Sequence, residues 1–508
     1  MPLSNQSRNR IALAGACLAS LMFGLEISSV PVILPTLEHV LEADFNGLQW
    51  IMNAYTIAVT TVLMATGALA DRYGRKLLFI ASVVAFGTTS VVCGLAPSTP
   101  VLIAARLLQG ISGGAMLICQ IAVLSHQFGD AAERGKAFGT WGIVFGLGLG
   151  FGPIIGGAIV AISNWQWVFL AHGPLALVTL LLVVDGVQES RDPDAKALDV
   201  AGVATLSLAV FCLAFFITQG PALGFASPMA LGIAAAAGVS FLAFLVAERV
   251  NPRPMFDFAV FRTRPFSGAL LGSVGMNFSF WPFMIYLPIW FQSGLGYDAV
   301  TAGLSLLAYT IPTLIAPPLG ERLSLRYRPG VVIPAGLFTI GLGFFLMKIG
   351  SGVAHPSWAT MLPGALIAGT GLGLTNTPVT NTTTGSVPSA RAGMASGIDM
   401  SARMISLAVN IALMGYILVS GVRAHIADAL PDTADASSLR SAAERIAAGD
   451  LTALGRLLPN LSSVDATAIA HAALKEGFEW VTLYGGLSAW LLAAASFLIF
   501  SRKIVPVR

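Results

Sequence analysis

The chain has 508 residues, of which 56% are apolar and only 10% charged, with a formal net charge of +3. About a quarter of an ordinary globular protein is charged, so this composition excludes a water-soluble enzyme or binding module. The apolar residues instead gather in runs of about 20, the length that crosses a hydrocarbon core as helix. Fourteen such spans are predicted, at 11–34, 48–70, 77–95, 101–124, 138–162, 168–184, 200–218, 229–247, 266–291, 300–319, 331–347, 359–374, 394–419 and 478–500. The fold class is therefore an all-α polytopic membrane protein, and an even span number puts both termini on one side.

Span 1 follows Arg8 and Arg10 as a signal peptide would. Its length and the lack of a small-residue cleavage site make it an uncleaved span. It contains Glu26, and a charge at that depth costs about 2.5–3.5 kcal/mol even on a lenient scale. Such a carboxylate is neutral much of the time, paired, or turned to a wet cavity. The loop after span 2 reads "GALADRYGRK", with Gly67, Asp71, Arg72, Gly74, Arg75 and Lys76. Asp71 and Arg75 stand four apart and can pair if the helix continues. Alternatively, Asp71 can face the positive N-terminal end of a neighbouring helix, or the basic residues only enforce topology.

Span 4 carries Arg106 and Gln109. Counted from the outer ends of spans 1 and 4 at 1.5 Å per residue, Glu26 and Gln109 lie roughly 12 Å deep and Arg106 roughly 8 Å. The three should share a layer, either as a proton-coupling site or as a permanent ion pair that only fixes packing. Desolvation raises a carboxylate's proton affinity and a nearby Arg lowers it. Span 5 has Gly148, Gly152 and Gly156 at four-residue steps and Pro153 among them, a pattern for close helix approach in lipid. "GDAAERGKA", residues 129–137, does not satisfy the P-loop spacing, so no nucleotide site is expected. Cys17, Cys93, Cys119 and Cys212 all fall within spans, without metal-site or disulfide spacing.

Span 9 presents Phe280, Phe283, Tyr286 and Trp290 at helical spacing between Asn277 and Gln292. Such a set suits flat hydrophobic compounds and organic cations, or it belongs to a membrane-interface belt. Asn376 and Asn381 at the end of span 12 either add hydrogen bonds to a substrate or are solvated. "GERLSLRYRPG" after span 10 echoes the loop after span 2, as expected of two six-helix halves with spans 7 and 8 between them. Asp399 in span 13 is either a second titrating acid or a helix-end residue beside Arg403. Most of the 28 Lys and Arg fall on one side of this topology, which places the N- and C-termini in the cytoplasm. The net charge then reflects topology, and no nucleic-acid partner is expected. Segment 420–477 has helical character suited to a small periplasmic cap, with adaptor docking left open.

Several of these motifs together resemble the major facilitator superfamily. Gly67, Asp71, Arg72, Gly74, Arg75 and Lys76 are similar to its loop signature, and Leu102, Arg106, Gln109 and Gly110 to its fourth-span signature. "GLGLGFGPIIGG", residues 146–157, resembles the fifth-span signature of its antiporters. The stretch around Glu26 resembles the first span of the 14-span drug:proton branch, joined by Trp50, Ala54, Tyr55 and "MFDFAVFR". Departures are Glu26 in place of Asp, Pro31, Gln166, and "AHGP" at 171–174.

The resemblance implies a major facilitator fold. Its parts would be an N-terminal half 1–186, inserted spans within 187–264, and a C-terminal half 265–508. It implies a proton-coupled antiporter in a bacterial inner membrane that exports hydrophobic, often cationic compounds, or one endogenous metabolite. A non-transporting sensor is the remaining alternative. The protein is expected to be no enzyme and to need no cofactor beyond the proton gradient. Proton coupling would fall to Glu26, Arg106 and Asp399. Substrate contact would fall to Tyr55, Gln109, Asn277, Asn376 and the span 9 aromatics. Gating would fall to the 67–75 loop and the span 5 glycines, whose packing face would turn to the partner half.

Overall fold

The computed structural model describes residues 4–43, 45–191, 199–251, 258–430, 436–457 and 462–501. Among them the regular structure is helical throughout. The first helices are α1 (Asn5–Val40), α2 (Phe45–Tyr73), α3 (Arg75–Gly94), α4 (Thr99–Gln127), α5 (Ala131–Ile162), α6 (Gln166–Leu170), α7 (His172–Gly186), α8 (Val200–Leu223) and α9 (Pro228–Val250). They are followed by α10 (Arg264–Asn277), α11 (Phe283–Ile289), α12 (Ala299–Ile315), α13 (Pro317–Tyr327), α14 (Pro329–Gly352) and α15 (Trp358–Gly385). The last are α16 (Ala392–Ala429), α17 (Ala436–Ala447), α18 (Ala453–Leu457) and α19 (Ser463–Ser501).

Among the described residues, eleven helical segments are long and apolar enough to cross a bilayer, or twelve if the bent α12–α13 pair is one span. That measure stops short of the fourteen spans read from the sequence, and the reasons are local. The predicted span 266–291 is not one helix: α10 ends at Asn277, turns follow, and α11 runs into a π-helical turn at Trp290–Gly294. Pro282 and Pro288 remove amide donors that a continuous helix would need. Pro317 and Pro318 do the same at the 42° bend between α12 and α13. The predicted span 359–374 lies in α15, a continuous helix of 28 residues whose "TNTPVTNTTT" half dilutes its hydropathy.

The chain divides into two compact units. Unit 1 is Met1–Leu270 with Thr377–Ile405, and unit 2 is Leu271–Asn376 with Ser406–Arg508. The predicted division at 186 and 264 follows chain order, whereas the end of α15 and the start of α16 group with the N-terminal helices. Local contacts account for this: a side chain at Gly67 would strike the Gly393 carbonyl, and one at Gly397 would meet Met64 Cα at 3.1 Å.

In unit 1, α1 lies along α5 and α2 along α4, while α8 packs on α9 and α2. The span 5 glycines were expected to turn to the partner half; the close approach is instead to α1 of their own unit. A Cβ on Gly148 would meet Leu21 O at 2.8 Å, one on Gly156 would meet Ser29 Cβ at 2.7 Å, and one on Gly152 would overlap Ser28 Oγ. Without side chains on α5 the two backbones meet, and Ser28 Oγ donates across the seam to Gly148 O at 2.9 Å. This is how small residues hold helices together where lipid offers no hydrophobic drive between them. Pro153 sits in the same helix with its ring exposed.

In unit 2, α14 lies along α19. Its interior is aromatic: Phe283 meets Phe344 edge-on at 4.3 Å and Trp290 stacks on Phe478 at 4.8 Å. Helices α17 and α18 lie between the long α16 and α19 and pack on α19, with Ala443 and Ile446 buried.

Candidate functional site

Unit 1 encloses a layer of ionisable side chains. Glu26 on α1 and Arg106 on α4 are both wholly buried, and Arg106 Nη1 donates to Glu26 Oε1. The same nitrogen donates to Gln109 Oε1 at 2.7 Å, and Arg106 Nε donates to the Ile51 carbonyl of α2 at 3.0 Å. That backbone contact depends on Gly110, because a Cβ there would meet Tyr55 O at 2.5 Å and Ala58 Cβ at 2.8 Å. The glycine next to Gln109 thus brings α2 close enough for its carbonyl to fix the guanidinium. Gln109 Nε2 donates to Ser90 Oγ of α3 at 2.8 Å, and Ser90 Oγ donates to the Phe86 carbonyl.

The Tyr55 ring lies under the guanidinium at 4.3 Å, and its hydroxyl is buried without a hydrogen-bond partner among the described residues. Phe169 flanks the same group at 5.8 Å. A buried ion pair holds only if its remaining lone pairs and protons are satisfied. Arg106 meets its side of this condition through four different helices, α1, α2, its own α4 and, through Gln109, α3, whereas Glu26 Oε2 has no hydrogen-bond partner among the described residues.

His172, the first residue of α7, closes the layer. Its Nδ1 stands 3.6 Å from Glu26 Oε2 and its Nε2 is 3.2 Å from the Met22 carbonyl, with Phe86 edge-on at 5.6 Å. In the sequence "AHGP" stands out only as a departure, with no role for His172. The rule that singled out Glu26, an ionisable group within a span, would also have found it. Ser90 carries no such signal, since buried serines are common in helices.

A second cluster lies at the end of unit 1 that bears the basic loop. Asp71 accepts from the Gly393 and Met394 amides at 3.0 and 2.9 Å, and from Arg75 at 2.7 Å. Both geometries considered for Asp71 are present together: it pairs with Arg75 and faces the start of α16. The helix does not continue between the pair, because Gly74 sits at φ +116° and starts α3 afresh. Arg75 also donates to the Ser389 carbonyl at 2.6 Å. Glu189, unpredicted, accepts from the Lys76 and Leu77 amides at the start of α3. Arg72 joins no ion pair among the described residues and lies by the Tyr73 ring at 5.1 Å.

Asp399 lies seven residues into α16, so it is no helix-end residue; it is buried and 3.3 Å from Arg403. Arg403 also donates to Thr380 Oγ1 at 2.8 Å. Asn381 accepts from Arg134 at 2.7 Å.

The span 9 residues belong to unit 2. Phe280 stacks on Tyr309 at 3.9 Å, Tyr286 donates to the Ile411 carbonyl at 2.7 Å, and Phe283 and Trp290 are fully buried. Asn277 donates to its own helix at the Ser273 carbonyl, and its carbonyl accepts from Asn410 at 3.0 Å. All four aromatics thus have contacts within the unit. Asn376 is buried at the end of the first segment of unit 2. A cavity of about 490 Å³ in unit 2 is lined by other residues, among them Lys348, His425, Glu476, Glu479 and Trp480.

A bundle of apolar helices around a buried layer of charged side chains defines a multi-pass membrane transport protein. The chain belongs to the Major Facilitator Superfamily, whose profile matches residues 16–411. It is 29% identical to "Multidrug resistance protein Stp" of Mycobacterium tuberculosis, over 97% of this chain and 92% of that protein. It is 28% identical to "Tetracenomycin C resistance and export protein" of Streptomyces glaucescens, again over 97% and 92%. Its fold matches the proton:xylose symporter XylE with a TM-score of 0.61 at 15% identity, over 98% of this chain and 97% of that one.

Proposed function

We propose that the protein is a proton-coupled antiporter that exports hydrophobic, often cationic compounds from the bacterial cytoplasm by alternating access. The observation that carries this reading is the buried Glu26, the one carboxylate of the layer, held by a guanidinium that stays charged at any physiological pH. The relatives named for drug resistance and export support the direction and the export of drugs. In this reading the broken α10–α11 segment and α15 also cross the membrane, giving fourteen spans with both termini cytoplasmic.

The cycle is competitive. Open to the periplasm, the layer takes up a proton at Glu26; open to the cytoplasm, it gives that proton up as substrate binds. One proton exchanged for one monovalent cation moves no net charge, so the drive is the pH gradient, about 1.4 kcal/mol per unit. A second proton, for which Asp399 is the candidate, adds the membrane potential at roughly 2.3 kcal/mol per 100 mV. The contacts of Asp71 with the start of α16 would form in one of the two states and break in the other. A narrower exporter of one metabolite uses the same mechanics, and the tetracenomycin relative, named for a single compound, favours that second reading.

The test uses inverted membrane vesicles with an acidic interior and a fluorescent probe of the pH gradient. Lipophilic cations, dyes and neutral antibiotics are added to wild type and Glu26→Gln. Antiport predicts a substrate-evoked loss of the gradient in wild type only. An equal response in both proteins removes Glu26 from the mechanism. Silence in both across the panel, followed by a wild-type response to a single metabolite, selects the narrow exporter.

A further inference from the structure

We infer that His172 is a second proton-binding group of this layer, and that Glu26 and His172 hold one proton between them. The argument starts from the tautomer. A carbonyl only accepts, so the 3.2 Å contact with Met22 O requires His172 Nε2 to carry hydrogen. In the neutral imidazole the other nitrogen, Nδ1, then presents a lone pair, and it faces Glu26 Oε2 at 3.6 Å. Neither Oε2 nor Nδ1 has a hydrogen-bond partner among the described residues. With Glu26 ionised and His172 neutral, two buried acceptors oppose each other, an arrangement that costs desolvation energy and returns no bond.

A single proton resolves this. Placed on Oε2 it is donated to Nδ1; placed on Nδ1 it is donated to Oε2. Either way both orphan atoms are satisfied, and a small rotation brings 3.6 Å to hydrogen-bond distance. The other groups facing the pair cannot take this part. Arg106 is a guanidinium with no lone pair to offer, and Tyr55 and Cys93 are a phenol and a thiol, each with a proton of its own. Gln109 and Ser90 do not ionise. The layer therefore alternates between net charge 0, with Arg106 balancing Glu26, and net charge +1 when the proton is present. A cationic substrate is repelled by the loaded layer and tolerated by the empty one, which supplies the exchange of proton for cation.

That this proton is the transported one rests on the antiport reading, whereas its sharing does not. Two measurements on the full chain in lipid vesicles keep these apart. The first is 15N NMR of histidine-labelled protein, with His172 assigned by difference from His172→Gln, whose amide can still donate to Met22 O. The expected spectrum has Nε2 protonated and Nδ1 protonated or hydrogen-bonded, with the Nδ1 signal moving to that of a free lone pair in Glu26→Gln. A free Nδ1 in wild type, or one indifferent to Glu26, overturns the proposal. The second is the pH dependence of ethidium binding. Removing one base from a pair that shares a proton lowers its proton affinity, so half-inhibition of binding by protons should fall by a pH unit or more in His172→Gln. An unchanged midpoint with normal binding overturns the proposal. Loss of coupling to transport in wild type, with the NMR result as expected, overturns only the antiport reading.

Discussion

Arg106 is the residue on which the layer depends, because one guanidinium serves Glu26, Gln109 and the Ile51 carbonyl. Replacing it with Ala leaves a buried carboxylate without its cation, and breaking a buried pair this way costs about 3–5 kcal/mol. Glu26→Gln in the same background should restore part of that stability, because the uncompensated charge is gone. Thermal unfolding of the two single variants and the double in detergent gives the coupling; additive losses would mean that the pair contributes nothing. Arg106→Lys should fall between wild type and Ala, since an ammonium keeps the charge but lacks the planar fork that reaches three acceptors. Glu26 and Arg106 were legible in the sequence because the cost of a charge in lipid does not depend on its partner. Which residue supplies the third contact does depend on the partner, and periodicity within α7 could not name it.

The seam between α1 and α5 tests packing at the element scale. Gly152→Val should destabilise unit 1 by about 1–3 kcal/mol through overpacking, because its Cβ would overlap Ser28 Oγ. Ser28→Ala should recover part of the loss by withdrawing that atom, as read by thermal stability. Outside the membrane helices, Asp450 precedes α18 and accepts from Thr452 Oγ1 at 2.7 Å, with Arg456 also bound to it. The Thr452 hydrogen bond, then the Arg456 charge, holds its carboxyl below the ordinary 3.8. A depressed acid favours the folded state above its unfolded pKa and loses that contribution as pH falls through the folded value. The α18 turn should therefore hold at neutral pH and loosen in strong acid, and Thr452→Ala should move that loosening to higher pH in hydrogen exchange. The spacing of the span 5 glycines foretold close packing but not its object, since a 3.6-residue period defines a face of one helix only.

At the scale of the whole molecule, the start of α16 belongs to unit 1 through the Asp71 carboxylate. Charge-assisted hydrogen bonds of this kind contribute about 1.5–3 kcal/mol each. Asp71→Ala should raise amide exchange at Gly393 and Met394 by about tenfold or more, relative to helices elsewhere in unit 1. Unchanged exchange would show that packing at Gly67 alone holds this segment. By itself the sequence determined that the chain is a membrane bundle, where most of its helices run, and which buried charges need a counterpart. These follow from composition, periodicity and the local cost of burying charge. Only the tertiary structure decided that His172 faces Glu26, that the span 9 aromatics meet Tyr309, Phe344, Phe478 and the Ile411 carbonyl, and that 377–405 joins the N-terminal helices. Each of these is a relation between segments far apart in the chain, and such relations exist only once the helices are packed.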